Sequence, residues 1–153
     1  MTNATPPDLN PTFTFGSTSF VVGQTREFII NIRDINLVGT TGTVQFFVPQ
    51  PNGVAFDDYT FDGNATNAVL LSGSPAVNNV DWTAAPSGTG LLFELRPGLS
   101  IGAAQNYLSR IVIRATARDA GGKGAITANI VSNSGGEVRI DNNVVVLLTS
   151  VQR

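Results

Sequence analysis

Short runs of polar–apolar alternation, each stopped by a glycine, proline or asparagine turn, recur along this chain of 153 residues. Alternation at period two turns one strand face to a core and the other to solvent, the pattern of half-buried antiparallel strands. Residues 27–33 put Phe28, Ile30 and Ile32 on one face and Glu27, Ile29, Asn31 and Arg33 on the other. Residues 43–48 turn Val44, Phe46 and Val48 inward, then stop at Pro49-Gln50-Pro51-Asn52-Gly53. The same rule runs through residues 12–15, 91–95, 110–118, 125–131 and 143–151. Between them lie breakers such as Asp62-Gly63-Asn64, Arg96-Pro97-Gly98, Gly121-Gly122-Lys123-Gly124 and Ser134-Gly135-Gly136. Turn signals this regular between short strands predict an all-β sandwich or barrel. Residues 102–108 are expected to form at most a short turn. No repeat at a period of 20–50 residues is present, so the chain is one unit and not an array.

Composition narrows the function. There is no histidine and no cysteine, and the only lysine, Lys123, sits among glycines. Those residue types supply most nucleophiles, general bases and transition-metal ligands. Ser-His-Asp and Cys-His arrangements are therefore ruled out, as is a His/Cys zinc site. Lys123 invites a phosphate-loop reading, but no Ser or Thr follows it and a strand, not a helix, is expected next. Its glycine neighbours also argue against a buried lysine staple. The chain reads as non-enzymatic.

Charged residues make up 13% of the chain, against about 25% in ordinary soluble domains. The net charge of −2 offers nothing to attract a polyphosphate backbone, so no nucleic-acid partner is expected. No apolar run approaches the roughly 20 residues of a membrane helix, so no transmembrane segment is expected. The first eight residues have neither a basic nor an apolar region, so no signal peptide is read there. Residues 1–10, with Thr5-Pro6-Pro7-Asp8, read as an extended arm or linker, and residues 11–153 as a single β-sandwich domain.

Three stretches together carry a resemblance. One is Val22-Gly23-Gln24-Thr25-Arg26-Glu27-Phe28-Ile29-Ile30-Asn31-Ile32-Arg33-Asp34-Ile35, where a glycine turn leads into a strand ending in Asp. The next is Gly42-Thr43-Val44-Gln45-Phe46-Phe47-Val48-Pro49-Gln50-Pro51-Asn52-Gly53, a strand ending in a Pro-x-Gly turn. The last is Ser134-Gly135-Gly136 with Asp141-Asn142-Asn143 before a final strand. Together they resemble the immunoglobulin-like surface-repeat modules of large secreted proteins from Bacteroidetes-type bacteria. The resemblance implies a non-catalytic extracellular role. With the turn spacing, the expected fold is an immunoglobulin-like antiparallel β-sandwich of about eight to ten strands.

Several residues are candidates for binding. Asp58, Asp62 and Asn64 supply oxygen ligands of the kind calcium takes, which makes a structural calcium the one cofactor to consider. Arg110, Arg114 and Arg118 share one strand face, either as a basic stripe for an acidic glycan or partner, or as a solvated face paired to Glu27 or Glu94. Trp82, the lone tryptophan, is either a sugar platform or core, and Tyr59 is a second aromatic candidate. Pro7, Phe13 and Phe15 would belong to an assembly segment if the arm or first strand is given to a neighbouring subunit. The function expected is a structural or adhesive module of a bacterial surface or secreted protein. The alternatives are a self-assembling filament subunit and a carbohydrate-binding module. Expected partners are neighbouring copies or domains of the same assembly, and glycans.

Overall fold

The computed structural model describes residues 5–51, 55–102 and 109–153. The described strands are β1 (Leu9–Phe15), β2 (Ser19–Val21), β3 (Thr25–Asp34), β4 (Gln45–Pro49), β5 (Trp82–Ser87), β6 (Gly90–Leu95), β7 (Ser109–Thr116), β8 (Lys123–Ile130) and β9 (Val144–Gln152). They form a smaller sheet in the order β1-β3-β7 and a larger one in the order β2-β9-β8-β4-β6-β5. This is an immunoglobulin-like β-sandwich. It departs from the expected all-antiparallel pairing at one place, because β2 runs parallel to β9. The chain leaves the smaller sheet after β1 and crosses to the larger one, where Phe20 lies opposite Val151.

The alternating residues fill the space between the sheets. Phe28, Ile30 and Ile32 of β3 and Ile111, Ile113 and Ala115 of β7 pack in one core with Phe46, Val48, Phe93, Ile126 and Ala128 of the larger sheet. Phe46 stacks on Phe93 with ring centres 4.6 Å apart and meets Trp82 edge-on at 5.0 Å. Offset and edge-to-face pairs of this kind add to the burial gain.

Two strands escape the alternation rule. β2 is three residues long, too short to alternate visibly. β5 carries Pro86, which would be costly in a central strand but is tolerated here because β5 is an edge. The stretch from Pro86 to Gly90 is the β5–β6 hairpin itself. Lys123 stands at the start of β8 opposite Ser150, exposed, rather than inside the glycine turn. Ser134–Gly136 forms a single 3₁₀ turn. There Gly135 has φ +63, and an added Cβ would meet the Thr40 side chain at 2.7 Å, so glycine is required twice over. The turn expected at 49–53 and the one at 102–108 lie partly outside the described residues.

A long connection between β4 and β5 decides what the smaller sheet shows to solvent. It lines the free edge of β7. Asn78 exchanges bonds with the Arg110 backbone, Asn79 with Val112, and Thr60 with Arg114. Asp57 N–H reaches the Thr116 carbonyl, and Arg118 N–H reaches the Ala55 carbonyl. The same segment lays Ala68 and Val77 over Ile29 and Val112, forming a second small core. Ile29, placed on the solvent face by alternation, is 1% exposed.

Candidate functional site

The candidate residues separate. Trp82 is 0% exposed and donates its indole N–H to Ser109 Oγ at 2.8 Å, so it is a core residue and no sugar platform. Tyr59 is also buried, and burial pushes its phenol up to about 12. Asp62 accepts the Asn64 N–H on Oδ1 and gives its carbonyl to the N–H of Ala65 and the side chain of Asn79. Asp62 and Asn64 are thus tied into a turn. Asp58 is exposed and has no hydrogen-bond or ionic partner among the described residues. Nothing draws the three around one point.

The arginine stripe is broken by what covers the sheet. Val112, between Arg110 and Arg114, is buried under the long connection. Arg114 donates to its cross-strand neighbour Glu27 at 2.9 Å, and Glu27 also accepts the Leu70 N–H. Arg118 lies 4.0 Å from Asp119, both exposed, an interaction of little strength. Arg110 instead joins Arg33 beside a groove of about 480 Å³, with Thr12, Thr14, Asn31 and Pro75. Neither guanidinium has a side-chain or ionic partner among the described residues.

Pro7 is buried, and β1 is seated in its own sheet against β3, so the first strand is not vacant in this fold. Asp8 O accepts from Ile35 N–H. Antiparallel pairing then points even-numbered β1 residues toward β3 and odd-numbered ones outward. Of the outward groups, Leu9 N–H is taken by Glu137 at 3.2 Å, and Pro11 has no N–H to offer. Phe13 and Phe15 keep free N–H groups among the described residues. The other edges are blunted. β7 is lined by the long connection. β2 is capped by Gln24 on Val21 N–H and Arg26 on the Ser19 carbonyl, and β5 carries Pro86.

The surface alternation alone did not single out is the outer face of the larger sheet. One row across it runs Val144, Asn129, Phe47, Leu92 and Ala85, read from the strand registers. The next residues along β9 and β8 are Val146 beside Thr127 and Leu148 beside Ala125. Val144, Val146 and Leu148 are all more than half exposed, Leu148 at 73%. Among the described strand residues on this face, the charges are Lys123 near one end and Glu94 at the other. The sequence signal was present in the apolar run 144–148, where both faces of the strand are apolar. A half-buried strand needs only one.

The pole where β1 and β9 begin is polar and buried. Asp34 accepts four backbone N–H groups, from Asp8, Asn36, Val38 and Gly39, at 2.8–3.0 Å. Glu137 accepts Leu9 N–H and the Asn143 amide, the latter at 2.6 Å. Burial raises the Glu137 carboxyl above its usual range, the bonds from Asn143 and Leu9 pull it down, and the Asp8 charge raises it again. Asp8 accepts the Asn142 amide at 3.0 Å and Arg139 at 3.5 Å, while Arg139 pairs closely with Asp141 at 2.6 Å. The Asp141-Asn142-Asn143 stretch thus does more than turn the chain: its two amides reach the N-terminal arm and Glu137.

No protein-family model matches this sequence, and no curated protein matches it. Solved structures share its fold. A cohesin module from a Clostridium perfringens family 33 glycoside hydrolase superposes with a TM-score of 0.58 at 15% identity, over 97% of this chain and 98% of that one. A CARDB domain from Pyrococcus furiosus, crystallised with di-metal ions, gives 0.56 at 16% identity, over 98% and 94%. The major pilin subunit of Bacillus cereus gives 0.51 at 9% identity, over 95% of this chain and 39% of the pilin. At these identities the likeness is one of fold, spread over bacterial and archaeal domains and not particular to Bacteroidetes-type modules.

Proposed function

We propose that this chain is a non-enzymatic structural or adhesive module of a bacterial surface or secreted protein, and that it docks a protein partner on the outer face of its larger sheet. One observation carries the reading: that face exposes a stripe of Val144, Val146 and Leu148 continued by Ala125, where a solvated sheet would alternate to polar residues. Proteins retain such stripes where a partner covers them. The absence of histidine and cysteine fits a scaffold, and the fold shared with a cohesin module and a pilin subunit supports an exported one. The test pairs the wild type with a Val146→Lys/Leu148→Lys double variant. Sedimentation of each alone, and capture of surface and secreted proteins by each, are compared. Self-association or a captured partner that disappears in the double variant, at unchanged melting temperature, is the expected result. Identical behaviour of the two proteins overturns the reading.

A second form of the reading is the self-assembling filament, favoured by the open backbone at Phe13 and Phe15. Because β1 already fills its own sheet, the joint would add a strand to this edge rather than replace one. Electron microscopy of purified protein, with Phe13→Pro as the blocked edge, separates the two: fibres that persist in the variant exclude this joint.

A further inference from the structure

We infer that the groove on the outer face of the smaller sheet is a binding site for an acidic saccharide, a uronate whose carboxylate bridges Arg33 and Arg110 while its hydroxyls meet Asn31, Thr12 and Thr14. The β4–β5 connection roofs Ile29 and Val112, and beside that roof the sheet stays open as a groove of about 480 Å³. Pockets that hold small organic ligands span roughly 300–1,000 Å³. The wall of the groove is Pro75, and it is fixed. Pro75 O accepts the Ala68 N–H at 2.8 Å, and the Asn67 amide holds the Ser74 carbonyl at 2.9 Å. A groove held this way is formed before a ligand arrives, so little ordering is left to offset the binding.

The charges call for an anion. Arg110 lies directly across from Asn31, and Arg33 follows two residues along the same face of β3, so the two arginines are diagonal neighbours. Such neighbours stand roughly 7–8 Å apart, and like charges at close quarters on a sheet destabilise it. The residue opposite each one is neutral, Asn10 for Arg33 and Asn31 for Arg110. Among the described residues no carboxylate lines the groove. The acids of β3 are already engaged, Asp34 by four backbone N–H groups and Glu27 by Arg114 and Leu70 N–H. Arg26, Arg96, Arg114 and Arg139 each donate to an oxygen of the fold, which Arg33 and Arg110 do not among the described residues. A carboxylate set between two guanidiniums takes charge-assisted bonds from both planar forks.

The uncharged lining favours a sugar over an acidic peptide. The floor has little backbone to pair with a peptide, because β3 is bonded on both sides, to β1 and to β7. It offers side chains instead. The Asn31 amide gives its N–H groups to Thr14 Oγ1 at 2.9 Å and the Thr12 carbonyl at 3.5 Å. That turns Asn31 Oδ1 away from β1, and no donor reaches it among the described residues. Thr14 Oγ1 accepts the Asn31 bond and keeps its own O–H to give, and Thr12 is exposed. An open acceptor and two hydroxyls beside two guanidiniums match a ring that carries hydroxyls and a carboxylate together.

The test titrates the intact chain with trisaccharides of galacturonate, glucuronate and mannuronate, with their methyl esters, and with hexaglutamate. Amide chemical shifts followed to about 10 mM ligand read affinities down to the millimolar range. At least one uronate should bind and shift residues of β1 and β3, and its uncharged methyl ester should bind about tenfold more weakly or worse. Arg33→Gln and Arg110→Gln, both at exposed positions, should each weaken uronate binding by about tenfold or more at unchanged melting temperature. Arg118→Gln removes the same charge elsewhere and should change it by no more than about twofold. No shift with any of the three uronates overturns the inference. Equal affinity in the wild type and both groove variants also overturns it, since the sugar then sits elsewhere. Hexaglutamate binding as tightly as the uronates would make the groove an acidic-peptide site and sink the saccharide assignment.

Discussion

The outer faces of the two sheets begin from the same strand pattern and end in opposite states. On the smaller sheet, Ile29 and Val112 would stand in solvent, but the β4–β5 connection roofs them and saturates the β7 edge. On the larger sheet, Val144, Val146 and Leu148 have no roof. An apolar residue on an outward face is thus covered in one case by the chain itself and left bare in the other. The roofed face adds to stability, whereas the bare one is free to serve recognition.

The largest test of that contrast is Ile29→Ala. It empties the small core under the roof and should cost about 2–5 kcal/mol in a denaturant titration; a loss equal to that of Val146→Ala would erase the distinction. Asn79→Ala comes next. It strips the Val112 N–H and carbonyl of their partners and should cost about 1–3 kcal/mol for each group left dry. Faster hydrogen exchange at Val112 would locate the damage. Glu27→Gln keeps an acceptor for Leu70 N–H but removes the ion pair. Because Arg114 is half exposed, the loss should stay below about 1 kcal/mol.

On the bare face, Leu148→Thr should change stability by no more than about 0.5 kcal/mol while weakening whatever association the wild type shows. The smallest signal is optical. The Tyr59 phenol is raised from 10.0 to about 12 in the folded chain. Its stabilising contribution is therefore complete below pH 10 and is lost as pH rises through 12. An ultraviolet titration showing Tyr59 ionising near 10 would mean that the segment carrying it lifts off before the sandwich unfolds.

Seven of the nine described strands follow from alternation, because their inward residues meet one continuous core that rewards period two. The roof does not follow, since its work is done by single side chains such as Asn78 and Asn79, whose geometry depends on a strand more than 30 residues further on. The polar pole was hidden for the same reason: Asp8 and Glu137 lie at opposite ends of the chain. The apolar excess at 144–148 was legible as hydrophobicity, but which side of it faced out depended on the register with β8. Trp82 and Tyr59 illustrate the limit of residue type as a guide, because an aromatic ring suits a sugar face and a core equally well.

The parallel pairing of β2 with β9 joins an early strand to the last one. If the chain is pulled by its two ends, these strands are drawn past each other along their length. Their hydrogen bonds, Val22 N–H to Gln152 O and Ser150 N–H to Thr18 O among them, then carry the load together instead of opening one after another. A module wired this way resists tension as a lap joint does.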